Sequence, residues 1–392
     1  MEVLTINNEA LTKQQGLNEV LYRKVNTMLA NKTTSVQGTL AKIERDGKML
    51  VDYIKPIGVD LKNRGIAPDL TFSANGAVNI DFTAKIGEND YEQNHMTLHD
   101  NAVGQLATKM GIPTRYLKDL AKGQEWQRQL ASQILNQHCE NTQRSRVLLR
   151  TVGNQVRGVL SDSYRRLNST EILIAFLEEA IKCNAAIADA LYTDTKMYVE
   201  TILPTPIEIP TRKNGVVVMY AGARFSTSDF GDGALDMKSF LLNGTCLNGM
   251  VSETQMRQIH LGARLNDNLL LSQRTYELDT ATQVSAVRDV TKYLYAPDTV
   301  MAKAMQIEAA ADVDIDASKE LKQLAKSGQL LKTESEEIEK ILVRNNPDDG
   351  VQGQSTLWKL TQAITAHARE AEPQRTRELH EVAGTLLNRI KA

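Results

Sequence analysis

Apolar residues recur with two spacings along this chain, and the switch between them outlines its elements. Leu17, Val20, Leu21, Val25, Met28 and Leu29 fall at helical spacing, predicting an amphipathic helix within a polar stretch over 1–45. Its stripe either packs on the body, the ordinary outcome, or receives a partner. Residues 50–54 and 70–82 read as strands, with Asn75-Gly76 as a tight turn. In 97–120, Thr97 or Asp100 is placed to cap a helix through Ala102, Leu106, Ala107 and Met110. Gly111 closes it, and Pro113 suits the first turn of the next helix. Two core helices across a tight turn are expected here, with a DNA-reading helix-turn-helix as the alternative.

The most informative stretch is 144–181. Val147-Leu148-Leu149 and 156–160 flank Val152-Gly153-Asn154-Gln155, a β-hairpin signal. Asn168 or Ser169 then caps a helix whose apolar positions are Ile172, Ile174, Phe176, Leu177 and Ile181. Further on, 191–203 reads as one strand, 204–210 as a proline-punctuated edge or connection, and 216–220 as a buried strand. Gly231-Asp232-Gly233 marks a turn, 235–242 a strand and 245–250 a crossing of small residues. From Gln273 the spacing becomes helical. Val284 to Tyr295 suit one helix and Leu321 to Leu342 two more. A loop at 345–350 precedes closing helices through Trp358, Ile364, Leu379 and Leu387.

Charge changes the picture locally, not globally. The 392 residues carry a formal net charge of -2, which excludes a uniformly basic protein but not a basic patch. Arg144, Arg146, Arg150, Arg157, Arg165 and Arg166 crowd the hairpin against Asp162 alone, with Tyr164 among them. A second cluster holds Arg224-Phe225, Arg257, His260 and Arg264. Guanidiniums neutralise phosphates while rings stack on bases, so such clusters suit single-stranded nucleic acid. The bland alternative is a salt-bridged hairpin whose arginines meet Glu178-Glu179.

Catalytic and metal motifs are weak. His95 and His99 are four apart, but Met96 stands where a zinc protease needs glutamate, so no metal is expected. Cys246 with a later His260 superficially suits nucleophilic catalysis, yet a small-residue context favours a buried thiol. There is no Walker sequence and no GxGxxG after a strand, so no nucleotide cofactor is expected. Three scattered cysteines fit a reducing cytoplasm. Neither a signal peptide nor a membrane span is expected.

Several segments together carry a resemblance: HMTLHDNAVGQLATKMGIPTRYLKDL, VRGVLSDSYRRLNSTEIL, ARFSTSDFGDGALDMKSFLLNGTCLNGMV with RQIHLG, and STLWKLTQAITAHAREAEPQRTRELHEVAG. Over roughly 95–390 the chain resembles the phage/plasmid-like protein family of unknown function, found on prophages, phages and mobile plasmids. The shared pattern includes Ser161-Asp162-Ser163-Tyr164, Cys246-Leu247-Asn248-Gly249, and a His-Gly pair interrupted here as His260-Leu261-Gly262. The resemblance implies a place among recombination and replication functions of a mobile element.

The expected fold is α+β: a mostly antiparallel sheet over 144–260, a basic hairpin packed on helices, and a helical C-terminal region. The expected division is an N-terminal region over 1–94, a core over 95–270 and helices over 271–392. The expected function is single-stranded DNA binding of the annealing type, without bond chemistry, by a homo-oligomer. Arg144, Arg146, Arg150, Arg157, Arg165, Arg166 and Arg224 would track phosphates and Tyr164 would stack. The rival expectation is an oligomeric interaction protein that meets a host or phage partner through its terminal helices.

Overall fold

The computed structural model describes residues 8–65, 69–86, 90–162, 164, 166–258, 272–351 and 353–390. It is an α+β protein with two six-stranded sheets and a helical C-terminal region. A long helix α1 (Asn8–Lys48) leads into β1 (Leu50–Pro56), α2 (Val59–Asn63), β2 (Thr71–Asn75), β3 (Ala77–Lys85) and β4 (Tyr91–Leu98). Helices α3 (Asp100–Met110), α4 (Thr114–Lys122) and α5 (Glu125–Asn141) follow, then the hairpin β5 (Arg146–Val152) and β6 (Gln155–Leu160). These strands make the first sheet, in the order β1-β5-β6-β4-β3-β2, where only β4 and β6 run parallel. The sheet takes strands from both sides of residue 94.

Helix α6 (Ser169–Lys182) leads to the second sheet. Its strands are β7 (Ala186–Tyr192), β8 (Met197–Ile202), β9 (Ile207–Thr211), β10 (Gly215–Thr227), β11 (Leu235–Asn243) and β12 (Gly249–Gln258). The order is β12-β11-β10-β8-β7, with β9 pairing the first half of β10. The sheet expected over 144–260 is therefore two sheets, and the hairpin belongs to the first. Helices α7 (Gln273–Tyr295), α8 (Pro297–Asp312), α9 (Ala317–Lys326), α10 (Lys332–Arg344), α11 (Leu357–Ala368) and α12 (Pro373–Leu387) complete the chain. No helix among the described residues is long and apolar enough to cross a membrane.

Local chemistry explains several element ends. Gly153, at φ 56, opens the two-residue turn of the hairpin, where a β-carbon would be strained. Asn168 caps α6 by accepting from the Glu171 backbone N–H. Gly111, at φ 70, closes α3 as expected, but the N-cap of that helix is His99, whose Nδ1 accepts from the Asn101 N–H. Leu106, Ala107, Leu117 and Leu120 are buried in the core of the first sheet, so α3 and α4 are core helices. The α1 stripe also packs: Leu21, Val25, Val36 and Ile43 are buried, while Val20 stays exposed. That face contributes to two cores and is not free for a partner.

Alternation along β10 distributes the second sheet between two layers. Ala223 and Phe225 enter a core shared with α6 and α7. Tyr220, Gly222 and Arg224 take the other face, which α1 and α12 cover. Arg224 is thereby carried to the interior.

Candidate functional site

The structure separates the arginines that crowd the sequence. Arg146 Nη2 lies 2.8 Å from Asp162 Oδ2. Arg150, 3% exposed, donates from Nε to Asp52 Oδ1 at 3.0 Å and from Nη1 to the Asp229 carbonyl at 2.8 Å. Arg157 Nη1 donates to the buried Asp46 at 2.7 Å, the Tyr192 hydroxyl at 3.1 Å and the Asp194 carbonyl at 2.9 Å. Arg166 is 3.6 Å from Asp52 and sits over the Tyr276 ring. Tyr164 is buried, its hydroxyl directed to the Ser228 carbonyl. Arg165 lies outside the described residues, as do His260 and Arg264.

These positions correct the expected nucleic-acid interface. Arg150, Arg157 and Arg224 are enclosed and neutralised by carboxylates, so they cannot track phosphates without breaking buried ion pairs. Tyr164 has no free face for a base to stack on. The counter-ions also differ from the expected pair: Glu178 meets Arg288, and Glu179 meets Lys182. The arginines use Asp46, Asp52, Asp162 and Asp229 instead. Arg144 alone of the described set is exposed without an ion pair; its Nε donates to the Lys109 carbonyl at 3.4 Å.

Three clefts near these elements differ in charge. One of them, 410 Å³, brings Arg150 and Arg166 together near the α6 N-terminus. Asp52, Asp229, Glu171 and Glu277 also line it, so four carboxylates oppose two guanidiniums and an anion is disfavoured.

A 520 Å³ cleft at the C-terminal end of α3 has the opposite character. Lys109, His138 and Arg144 line it with Asn141, Thr142 and Gln143, and no carboxylate is among its lining residues. Burial and then the Arg144 charge hold the Lys109 ammonium below its ordinary pKa. Lys62 reaches Asn141 Oδ1 at 3.0 Å and adds a cation at the rim. Part of this charge is explained locally, because Arg144 and His138 lie against the Lys109 and Met110 carbonyls at the negative end of α3. Carbonyl dipoles do not cancel two full charges.

The third cleft, 220 Å³, lies where α12 crosses the second sheet, and the buried Arg224 behind it ties together Glu200, Arg377 and His380 of its lining. Arg224 Nε and Nη2 hold Glu200 Oε1 at 2.8 and 2.5 Å, and Nη1 reaches the Arg377 carbonyl at 3.2 Å. Nη2 also lies 2.8 Å from His380 Nδ1. A guanidinium only donates, so His380 is neutral with its proton on Nε2. Burial, followed by the charges of Arg224, Arg377 and Lys32, holds His380 well below the ordinary histidine value. Burial alone would raise the Glu200 pKa, but Arg224 and Arg377 together keep it below the usual value. The Cys246-Leu247-Asn248-Gly249 crossing forms part of the wall.

No family model, curated protein or solved structure matches the chain.

Cys246 is buried, and His95 and His99 hold structural contacts. Burial pushes the Cys246 thiol up to about 11, away from a nucleophilic thiolate. His95 sits on β4 with Nδ1 2.5 Å from Asp81, and His99 caps α3, so the two do not share a helical face. No group of three His, Cys, Asp or Glu among the described residues could hold a metal ion. Sequence reasoning missed Arg377 and His380, and did not bring Lys109 and His138 together with Arg144 in one cleft. Lys109 was visible as a helix-end cation; Arg377 and His380 share one face of a helix at a spacing of three, a weak signal by itself.

Proposed function

We propose that the protein binds single-stranded nucleic acid of a mobile element without making or breaking bonds, through the cleft of Lys109, His138 and Arg144. This moves the contact from the hairpin to the end of α3. The observation that carries the reading is the crowding of Lys109 and Arg144 in a cleft whose lining has no carboxylate. A phosphate entering there would relieve the repulsion between the two cations and release its own counter-ions. The cleft offers Asn141 and Thr142 as neutral hydrogen-bonding groups, with the His138 imidazole as the one ring of its lining, so contact would be mainly to the backbone and tolerant of sequence.

The test is fluorescence anisotropy of labelled single- and double-stranded oligonucleotides titrated across a salt series. Wild type should prefer single strands and weaken as salt rises. Arg144→Glu and Lys109→Gln should each weaken binding and make the log–log salt slope for single strands shallower by about 0.7 for each phosphate no longer neutralised. No binding at low salt, or an unchanged slope in both variants, would overturn the reading.

A further inference from the structure

We propose that the cleft of Lys109, His138 and Arg144 receives a strand at its phosphorylated end, taking a terminal phosphomonoester in preference to the diesters along the chain. This rests on the nucleic-acid reading above and names the part of the strand that the cleft selects. The balance of charge favours a dianion. Lys109 and Arg144 line the cleft, and Lys62 stands at its rim through Asn141. Two helix C-termini oppose these three cations, because α3 ends at Met110 and α5 at Asn141, both on the lining. A helix end carries about −0.5 of a charge, so about two positive charges remain uncancelled. An internal diester brings one negative charge, whereas a terminal phosphate brings about 1.5 to 2 at neutral pH.

The uncancelled charge also stops at the cleft. On the hairpin side, Arg146, Arg150 and Arg157 are held by Asp162, Asp52 and Asp46. On the helix side, Lys118 and Lys122 both hold Asp100, and Arg115 lies 3.9 Å from Asp119. A groove that follows a strand needs cations in succession along the backbone. Here they are gathered at one place, which suits a single phosphate of doubled charge.

The cationic wall is held in place by the chain itself. Backbone bonds from Ile57 N to Ser145 O and from Val59 N to Thr142 O, each 2.9 Å, clamp the loop that carries Arg144. Gly58, between them, takes φ 95, and a β-carbon there would stand 2.2 Å from the Arg144 carbonyl oxygen. The Arg144 guanidinium is oriented by its Nε, which donates to the Lys109 carbonyl at 3.4 Å. Its Nη1 and Nη2 make no bond among the described residues and remain for two oxygens of one phosphate. A site fixed in advance loses less on binding than one that must be ordered.

Fluorescence anisotropy tests this with one internally labelled single strand, prepared with a 5′-phosphate, a 3′-phosphate, the methyl ester of either, or hydroxyl ends only. The full-length protein should bind one of the two phosphorylated strands about fivefold more tightly than the hydroxyl-ended one, the worth of one extra charge near a cation in water. The methyl ester keeps the phosphorus but not the second charge and should lose most of that gain. In Arg144→Gln and in Lys109→Gln the ratio should fall toward one, and a ratio is unaffected by any loss of folded protein. Arg115→Gln, outside the lining, should keep it. Inorganic phosphate at constant ionic strength should displace the phosphorylated strand only at concentrations far above that of the strand. A ratio of one in wild type, with hydroxyl-ended strands still bound, overturns this inference and leaves the nucleic-acid reading standing; no binding of any strand removes both. A methyl ester as good as the phosphate, a ratio that survives both substitutions, or inorganic phosphate that competes mole for mole also overturns it.

Discussion

His380 shows how much of this protein's electrostatics is decided by a single buried contact. Its Nδ1 faces the Arg224 guanidinium at 2.8 Å, so a proton there would set two cations against each other out of water. The folded histidine therefore resists protonation, while the unfolded one titrates near its ordinary value of 6.5. Below that pH the unfolded state binds more protons, so stability should fall as pH drops from about 6.5 toward the folded pKa. The limiting slope for one group is about 1.4 kcal/mol per pH unit. His380→Gln can retain an acceptor for Arg224 but cannot titrate. The stability difference between wild type and this variant, from urea unfolding at a series of pH values, should be flat above about pH 7.5 and shrink in favour of the variant below 6.5. Contributions from His99 and the carboxylates cancel in that difference. A difference that is constant across the range contradicts the role given to Arg224. None of this was legible in the sequence, because Arg224 finds Glu200 at a separation of 24 residues, Arg150 finds Asp52 at 98 and Arg157 finds Asp46 at 111. A run of arginines states how much charge there is; only the fold says which carboxylates meet it.

Elements whose ends are set by local chemistry were readable, and those set by tertiary approach were not. The hairpin turn at Gly153, the Asn168 cap and the Gly111 stop all follow from the residues at the spot. The run 191–203, by contrast, breaks into β7 and β8 across Thr193–Lys196, where Asp194 takes φ 67. With no glycine there, the turn gives little warning. Two helical glycines make the same distinction testable. Gly38 in α1 is exposed, and a β-carbon there would meet nothing within 4 Å. Gly384 in α12 lets the helix approach β12 so closely that a β-carbon would stand 1.5 Å from the Val251 carbonyl oxygen. Helix propensity alone predicts that both gain from alanine. Gly38→Ala should raise stability by about 0.5–1 kcal/mol. Gly384→Ala should lower it by about 1–3 kcal/mol, the usual cost of overpacking, because the obstacle is backbone. Urea midpoints at constant slope measure both; a stabilising Gly384→Ala would mean that α12 does not sit on β12 as described.

At the scale of the molecule, the two sheets are joined by few residues, and most of the misplaced arginines belong to that joint. The 228–233 segment that leads from β10 to β11 is gripped by the first sheet and its helix: Asn101 and Gln105 donate to the Phe230 carbonyl at 3.1 and 2.6 Å, and Arg150 to the Asp229 carbonyl. Tyr164 holds the Ser228 carbonyl. Helix α1 straps both halves, with Asp46 on Arg157 of the first sheet and Lys42 on Asp194 of the second. The basic hairpin thus serves as the coupling surface between the sheets, which is why its charges are buried and balanced. Such coupling makes the halves unfold together, and the two tryptophans can report it. Trp126 lies on α5 beside the first sheet, and Trp358 is buried on α11 in the C-terminal helices. In single-tryptophan variants made by Trp126→Phe and Trp358→Phe, fluorescence should give coincident urea midpoints. Gly158 on β6 faces Phe230, with a β-carbon there only 3.3 Å from the Phe230 backbone. Gly158→Val should force the joint apart and separate the two midpoints, with each half still folded. Midpoints that remain coincident in Gly158→Val would show that the strap of α1 holds the halves together without the 228–233 segment.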